Sequence, residues 1–124
     1  MAVKHSLEEQ IRRELRHLRS EEVSDLVRSI EKLVEAFHPD RIYVFGSQAR
    51  GTATPDSDVD LMVIVPDSDQ PSYRRAQAAY EAVGDHVLPL DLLVWTQQEF
   101  DERLPAAASL PATVAREGRL LHAS

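Results

Sequence analysis

Leu7, Ile11, Leu15 and Leu18 recur at helical spacing behind a Ser6 and Glu9 pair that has the form of a capping box, which predicts a first helix over about residues 7–19. Ser20 can cap a second helix, in which Val23, Leu26, Val27, Ile30, Leu33, Val34 and Phe37 make a stripe wide enough to cover a sheet face. His38-Pro39-Asp40 ends it, because the residue before a proline is pushed away from helical dihedrals.

The pattern then changes period. Ile42 to Phe45 is a short β-branched and aromatic run that reads as a strand and stops at Gly46-Ser47. Thr52 to Asp56 is a turn-rich connection. Val59 to Val65 is a second strand, apolar on both faces beyond Asp60, which argues for a central place in a sheet. After the loop from Pro66 to Pro71, Tyr73 to Val83 predicts a helix with Gly84 as a left-handed stop. Val87 to Trp95 reads as a third strand, with Pro89 removing one ladder donor near its start. Thr96 and Glu99 repeat the capping-box spacing ahead of a short helix through about Arg103. Residues 105–117 read as an Ala-rich helical stretch interrupted by Pro111, and Gly118 precedes a short apolar run at Leu120 and Leu121. Alternating helices and strands give an α/β or α+β class, with a small mixed β-sheet flanked by helices.

Composition narrows the function. The 124 residues suit one domain, 1–124, with a helical extension over about residues 1–20. Fourteen Lys and Arg against twenty-one Asp and Glu leave a net charge of −7, which disfavours stable nucleic-acid binding and favours a multivalent cation. The absence of Cys removes disulfides, thiolate metal sites and Cys nucleophiles together. No stretch approaches the length of a membrane span, and the charged start lacks a signal-peptide core, so the expectation is a soluble cytoplasmic protein.

The chemistry concentrates in Gly46-Ser47, then ten residues later Asp58-Val59-Asp60, with Asp91 inside Leu90-Asp91-Leu92. Residues i and i+2 of a strand share a face about 6.6 Å apart, so Asp58 and Asp60 project together. Asp91 stands alone among apolar residues, and a carboxylate in a buried strand is costly without a cation or hydrogen bonds. If its strand lies beside the second, it comes about 4.8 Å sideways from the pair. Three carboxylates could then hold two Mg²⁺ ions at roughly 3.5 to 4 Å, the spacing used for in-line attack on phosphorus. Gly46 lets backbone approach a phosphate closely, and a helical turn opening at Ser47 aims N–H groups and a hydroxyl at the anion. Arg50, one turn on, could neutralise pyrophosphate charge.

Phe45-Gly46-Ser47-Gln48-Ala49-Arg50-Gly51 followed by Pro55-Asp56-Ser57-Asp58-Val59-Asp60-Leu61 resembles the signature of the minimal nucleotidyltransferases of the DNA polymerase β superfamily. With the preceding helix and the later aspartate strand, the resemblance spans most of residues 21–121. It implies a nucleotidyltransferase-like fold, two Mg²⁺ ions, and transfer of a nucleoside monophosphate from a triphosphate such as ATP to a hydroxyl. Asp58 and Asp60 match the pair that binds both metals, and Asp91 the third ligand. Gly46 and Ser47 match the phosphate-binding turn, with Arg50 a looser match. Short chains of this family are typically antitoxins paired with a HEPN-domain toxin, so the implied acceptor is a toxin tyrosine, modified with AMP. A non-catalytic antitoxin that neutralises by occlusion, and an enzyme acting on a small aminoglycoside, are the alternatives. A short chain leaves few walls for a small acceptor, whereas a partner protein, or a second copy of the chain, could complete the pocket.

Other candidates read as structure. Trp95, Tyr43 and Tyr73 are expected in the core, Arg74 and Arg75 on a solvated helix face, and the scattered histidines at the surface. The spacing in the first helix suits a core face or a partner surface equally.

Overall fold

The computed structural model describes residues 2–54 and 57–124, with side chains described from Ser6 onward. Pro55 and Asp56, part of the expected turn, lie outside the described residues. The elements are α1 (Ala2–Glu14), α2 (Ser20–Phe37), β1 (Arg41–Phe45), α3 (Ser47–Arg50), β2 (Val59–Val65), α4 (Ser72–Val83), β3 (Leu90–Thr96), α5 (Gln97–Arg103), α6 (Leu110–Glu117) and β4 (Arg119–Ala123).

The strands form one mixed sheet in the order β3-β2-β1-β4. β1 runs antiparallel to both β2 and β4, whereas β2 and β3 are parallel and joined through α4. β2 is interior, as its two apolar faces require, and is buried along its length apart from half-buried Asp60. Alternation sorts the side chains onto two faces. Ile42, Val44, Leu61, Val63, Leu92 and Val94 pack with α1, α2 and α4 into the main core. Met62 and Ile64 form a smaller cluster on the other face with Phe100 of α5 and Val114 of α6, against which Tyr43, Phe45, Leu93 and Trp95 pack partly buried.

Several boundaries differ from expectation for local reasons. The first helix begins at Ala2, so Ser6 is an interior residue rather than a cap, and it ends at Glu14, where the chain turns through Leu15 to Leu18. Leu7, Ile11 and Leu15 are core residues. At the start of α2 it is Glu22 that reaches back, accepting the Arg19 backbone N–H at 2.8 Å, and Ser20 is the first helical residue. His38, at φ 47° and ψ 54°, ends α2 in the left-handed region. Gly84 ends α4 at φ 68° and ψ −145°, outside that region but still at a positive φ. Pro89 lies outside β3, its carbonyl accepting the Val59 N–H at 2.9 Å. Pro111 opens α6 beside the Ser109 cap instead of interrupting a longer helix, since its missing N–H costs nothing in a first turn. The Thr96–Glu99 capping box forms as predicted.

The free edge of β3 is closed by α4. Arg75, 6% exposed, donates to the Val94 carbonyl at 2.7 Å and to both carboxylate oxygens of Glu99 at 2.9 Å. It is therefore a buried staple between α4, β3 and α5 rather than part of a solvated face. Such hydrogen bonds protect an edge that would otherwise offer unpaired backbone groups. Tyr73, by contrast, is 67% exposed and carries the Arg74 guanidinium over its ring, so it is not a core residue.

Candidate active site

The sheet brings the separated aspartates together. β2 and β3 start at the same end, and their register pairs Asp60 directly with Asp91. Asp58 precedes β2 by one residue, two positions from Asp60. Asp60 alternates with Met62 and Ile64, and Asp91 with Leu93 and Trp95, so both carboxylates belong to the face carrying the smaller cluster. Asp60 is half-buried, while Asp58 and Asp91 are exposed. The expectation that Asp91 is a carboxylate enclosed among apolar residues is thus corrected: Asp91 is exposed on the face of the smaller cluster, near the start of β3, while Leu90 and Leu92 point into the core.

β1 runs antiparallel, so it ends where β2 begins. Phe45 pairs with Asp60, and Gly46 and Ser47 follow at the same rim. Gly46 adopts φ 74° and ψ −151°, a conformation open to glycine and costly for other residues. A Cβ there would collide with Asp60 Oδ2, so the absent side chain makes the space that the carboxylate occupies. The short helix α3 opens at Ser47, which is half-buried, and closes at Gly51, whose φ is 75°.

Electrostatics agree with this geometry. Burial, and after it the charges of Asp91 and then Asp58, push the Asp60 carboxyl above its ordinary value, while the Arg50 guanidinium opposes them. Arg50 is exposed and lies 3.8 Å from Glu117, a loose surface pair of little energetic value. Among the described residues no three His, Asp or Glu side chains are drawn close enough to enclose an ion. The three aspartates are therefore within electrostatic reach of one another without forming a closed cage. Hard oxygen donors sharing negative charge that Arg50 offsets only in part are the donor set that suits Mg²⁺, which keeps several waters and needs few protein ligands.

Two side chains that the sequence did not single out support this rim. Gln48 of α3, 2% exposed, directs its amide N–H₂ at the carbonyls of Ser57 and Asp58 at 3.5 and 3.4 Å, tying α3 to the approach of β2. The Tyr80 hydroxyl of α4 lies 3.4 Å from Asp91 Oδ1. A glutamine in a four-residue helix and a tyrosine on an amphipathic one carry no local pattern that marks them. An apolar groove lined by Leu7, Ile30, Val34 and Leu121 belongs to the opposite side of the sheet and has no carboxylate in common with the rim.

Comparison with known proteins agrees with the geometry. Residues 21–120 match the family described as nucleotidyltransferase domain. A Sulfolobus solfataricus crystal structure, provisionally described as a nucleotidyltransferase, superposes with a TM-score of 0.51 at 17% identity, over 81% of this chain and 79% of that one, a likeness of fold alone. A toxin–antitoxin structure with AMP-PNP is 26% identical, with a TM-score of 0.47, over 77% of this chain and 72% of that one. No curated protein matches the chain.

Proposed function

The chain belongs to the nucleotidyltransferase domain family, and from that premise we propose that it transfers AMP from ATP to a hydroxyl, a tyrosine of a HEPN-domain toxin, and so acts as an antitoxin in the cytoplasm. The observation that carries the catalytic part is the Asp60–Asp91 register beside Asp58, facing the Gly46-Ser47 turn.

In this reading Asp58, Asp60 and Asp91 would hold two Mg²⁺ ions. When bound, the ions lower the pKa of the acceptor hydroxyl and offset phosphate charge. Gly46 admits the triphosphate close to backbone, Ser47 offers a hydroxyl and N–H at the start of α3, and Arg50 faces the leaving pyrophosphate. The acceptor oxygen forms its bond to the α-phosphorus, the bond to pyrophosphate breaks, and the hydroxyl proton is released.

A protein acceptor is supported by how open the rim is. Asp58, Asp91 and Arg50 are all exposed, so the rim lies open to the surface of a large partner. The resemblance of Phe45 to Leu61 to the minimal nucleotidyltransferase signature supports a toxin as that protein. The test is incubation of the chain with α-labelled ATP, Mg²⁺ and a candidate HEPN toxin. Label on a toxin tyrosine is expected; toxin neutralised with no label, and equally well by Asp60→Asn, contradicts the catalytic reading.

A further inference from the structure

We propose that Tyr80 is a positioning residue for Asp91, its hydroxyl tying the carboxylate to the backbone of β3 from outside the sheet. The inference rests on the metal-dependent reading of the rim given above. Asp91 has little else to hold it: it is exposed, on an edge strand, and flanked in sequence by two side chains that point the other way. An exposed carboxylate of that kind samples several rotamers, and a metal ligand must adopt one.

Tyr80 supplies the constraint from the last turn of α4. Its hydroxyl accepts the Leu92 N–H at 2.9 Å, which uses one lone pair and anchors the oxygen at the strand edge. The phenolic proton then has two acceptors within reach, Asp91 Oδ1 at 3.4 Å and the Leu90 carbonyl at 3.5 Å. A charged acceptor is the stronger of the two. Closing the chain from Leu92 N–H through the hydroxyl to Asp91 ties the carboxylate to its own strand. Partners of this kind, one step removed from a metal, orient the ligand and typically change affinity by 10- to 100-fold.

The test uses the full chain with Mn²⁺ and a non-hydrolysable ATP analogue, reading free Mn²⁺ by its paramagnetic resonance signal. Tyr80→Phe keeps the ring and removes the hydroxyl. Its Mn²⁺ affinity is expected to fall roughly tenfold, the low end for such partners because the 3.4 Å contact is long. Asp91→Asn should lower affinity further, and adding Tyr80→Phe to Asp91→Asn should cost nothing more, since the hydroxyl acts only through that carboxylate. A merely structural tyrosine would lower the melting temperature and leave the Mn²⁺ affinity of the folded protein unchanged. Tyr80→Leu, which also lacks the hydroxyl, serves if Tyr80→Phe does not fold, and for either variant a Mn²⁺ affinity equal to that of wild type overturns the proposal. So does a nucleotide adduct on Tyr80 after incubation with ATP and Mg²⁺, which would make the hydroxyl an acceptor. If Mn²⁺ binds and Asp60→Asn abolishes it while Tyr80→Phe does not weaken it, only the role of Tyr80 fails. If Asp60→Asn has no effect on Mn²⁺, the reading of the rim fails and takes this one with it.

Discussion

Asp60 Oδ2 occupies the space that a side chain on Gly46 would fill, because Gly46 directly follows β1, whose antiparallel register with β2 pairs Phe45 with Asp60. The Gly46-Ser47 turn and the Asp60 carboxylate are therefore fitted to each other. Gly46→Ala meets both that collision and a backbone at φ 74° and ψ −151°, a region essentially reserved for glycine whose strain alone is worth about 1 to 3 kcal/mol. The variant is expected to melt lower, and its transfer rate to fall by roughly 100-fold, the scale on which a small misplacement of reacting groups acts. Calorimetry and the label-transfer assay check the two effects separately; transfer near wild-type levels would show that the contact does not place Asp60.

Relieving the crowding of carboxylates should stabilise the empty protein. The Asp60 carboxyl is raised above its ordinary value by burial and by the neighbouring Asp91 and Asp58 charges. A carboxyl raised in the folded state favours folding when protonated, so its contribution is present below the unfolded value near 3.8 and is lost as pH rises through the folded value. Asp60→Asn is expected to melt higher than wild type at pH 7 without divalent cations, with the difference shrinking as pH falls. The same substitution should abolish transfer. Melting curves across pH in a chelating buffer decide it, and a variant that melts lower at pH 7 contradicts the electrostatic account.

Glu99 has the opposite sign. The Arg75 guanidinium, ahead of the Thr96 backbone N–H, holds its carboxyl down at about 2 against an ordinary value of 4.5. Its stabilising contribution is complete above pH 4.5 and is lost as pH falls toward 2. Glu99→Gln should therefore melt lower than wild type at pH 7, and the gap should close on acidification. Since Glu99 is partly exposed, solvent screening keeps the effect small, and added salt should reduce it further. Transfer at pH 7 is expected to remain, because the staple closes the β3 edge near α5 and is remote from the rim.

β1 and β2 were legible because short apolar runs bounded by glycine and proline left little choice: Val59 to Val65 is buried and interior, and β1 ends at Phe45 as expected, whereas β3 begins at Leu90 rather than Val87 and the short apolar run at Leu120 and Leu121 proved to be the strand β4. The approach of Asp58 and Asp60 followed from strand alternation alone. That of Asp91 needed the strand order, which places β3 against β2 and sets its register. What local pattern could not supply was long-range. Whether Asp91 is enclosed depends on what covers its face of the sheet near the start of β3, and whether Arg75 is solvated depends on the Val94 carbonyl and Glu99 finding it across the fold. Ser6 and Glu9 failed as a cap for a different reason: three-residue spacing also occurs inside helices, and the backbone of α1 continues to Ala2.

In the proposed mechanism Asp58, Asp60 and Asp91 act together as one metal-dependent transfer site. This is tested most directly by quantifying label from α-labelled ATP on a HEPN toxin, with wild type and with Asp58→Asn, Asp60→Asn and Asp91→Asn, each first shown to be folded. Mg²⁺-dependent label on a toxin tyrosine is expected with the wild-type chain, and its loss in all three variants. Near-normal transfer by any one of them, or transfer that persists in a metal chelator, contradicts the mechanism.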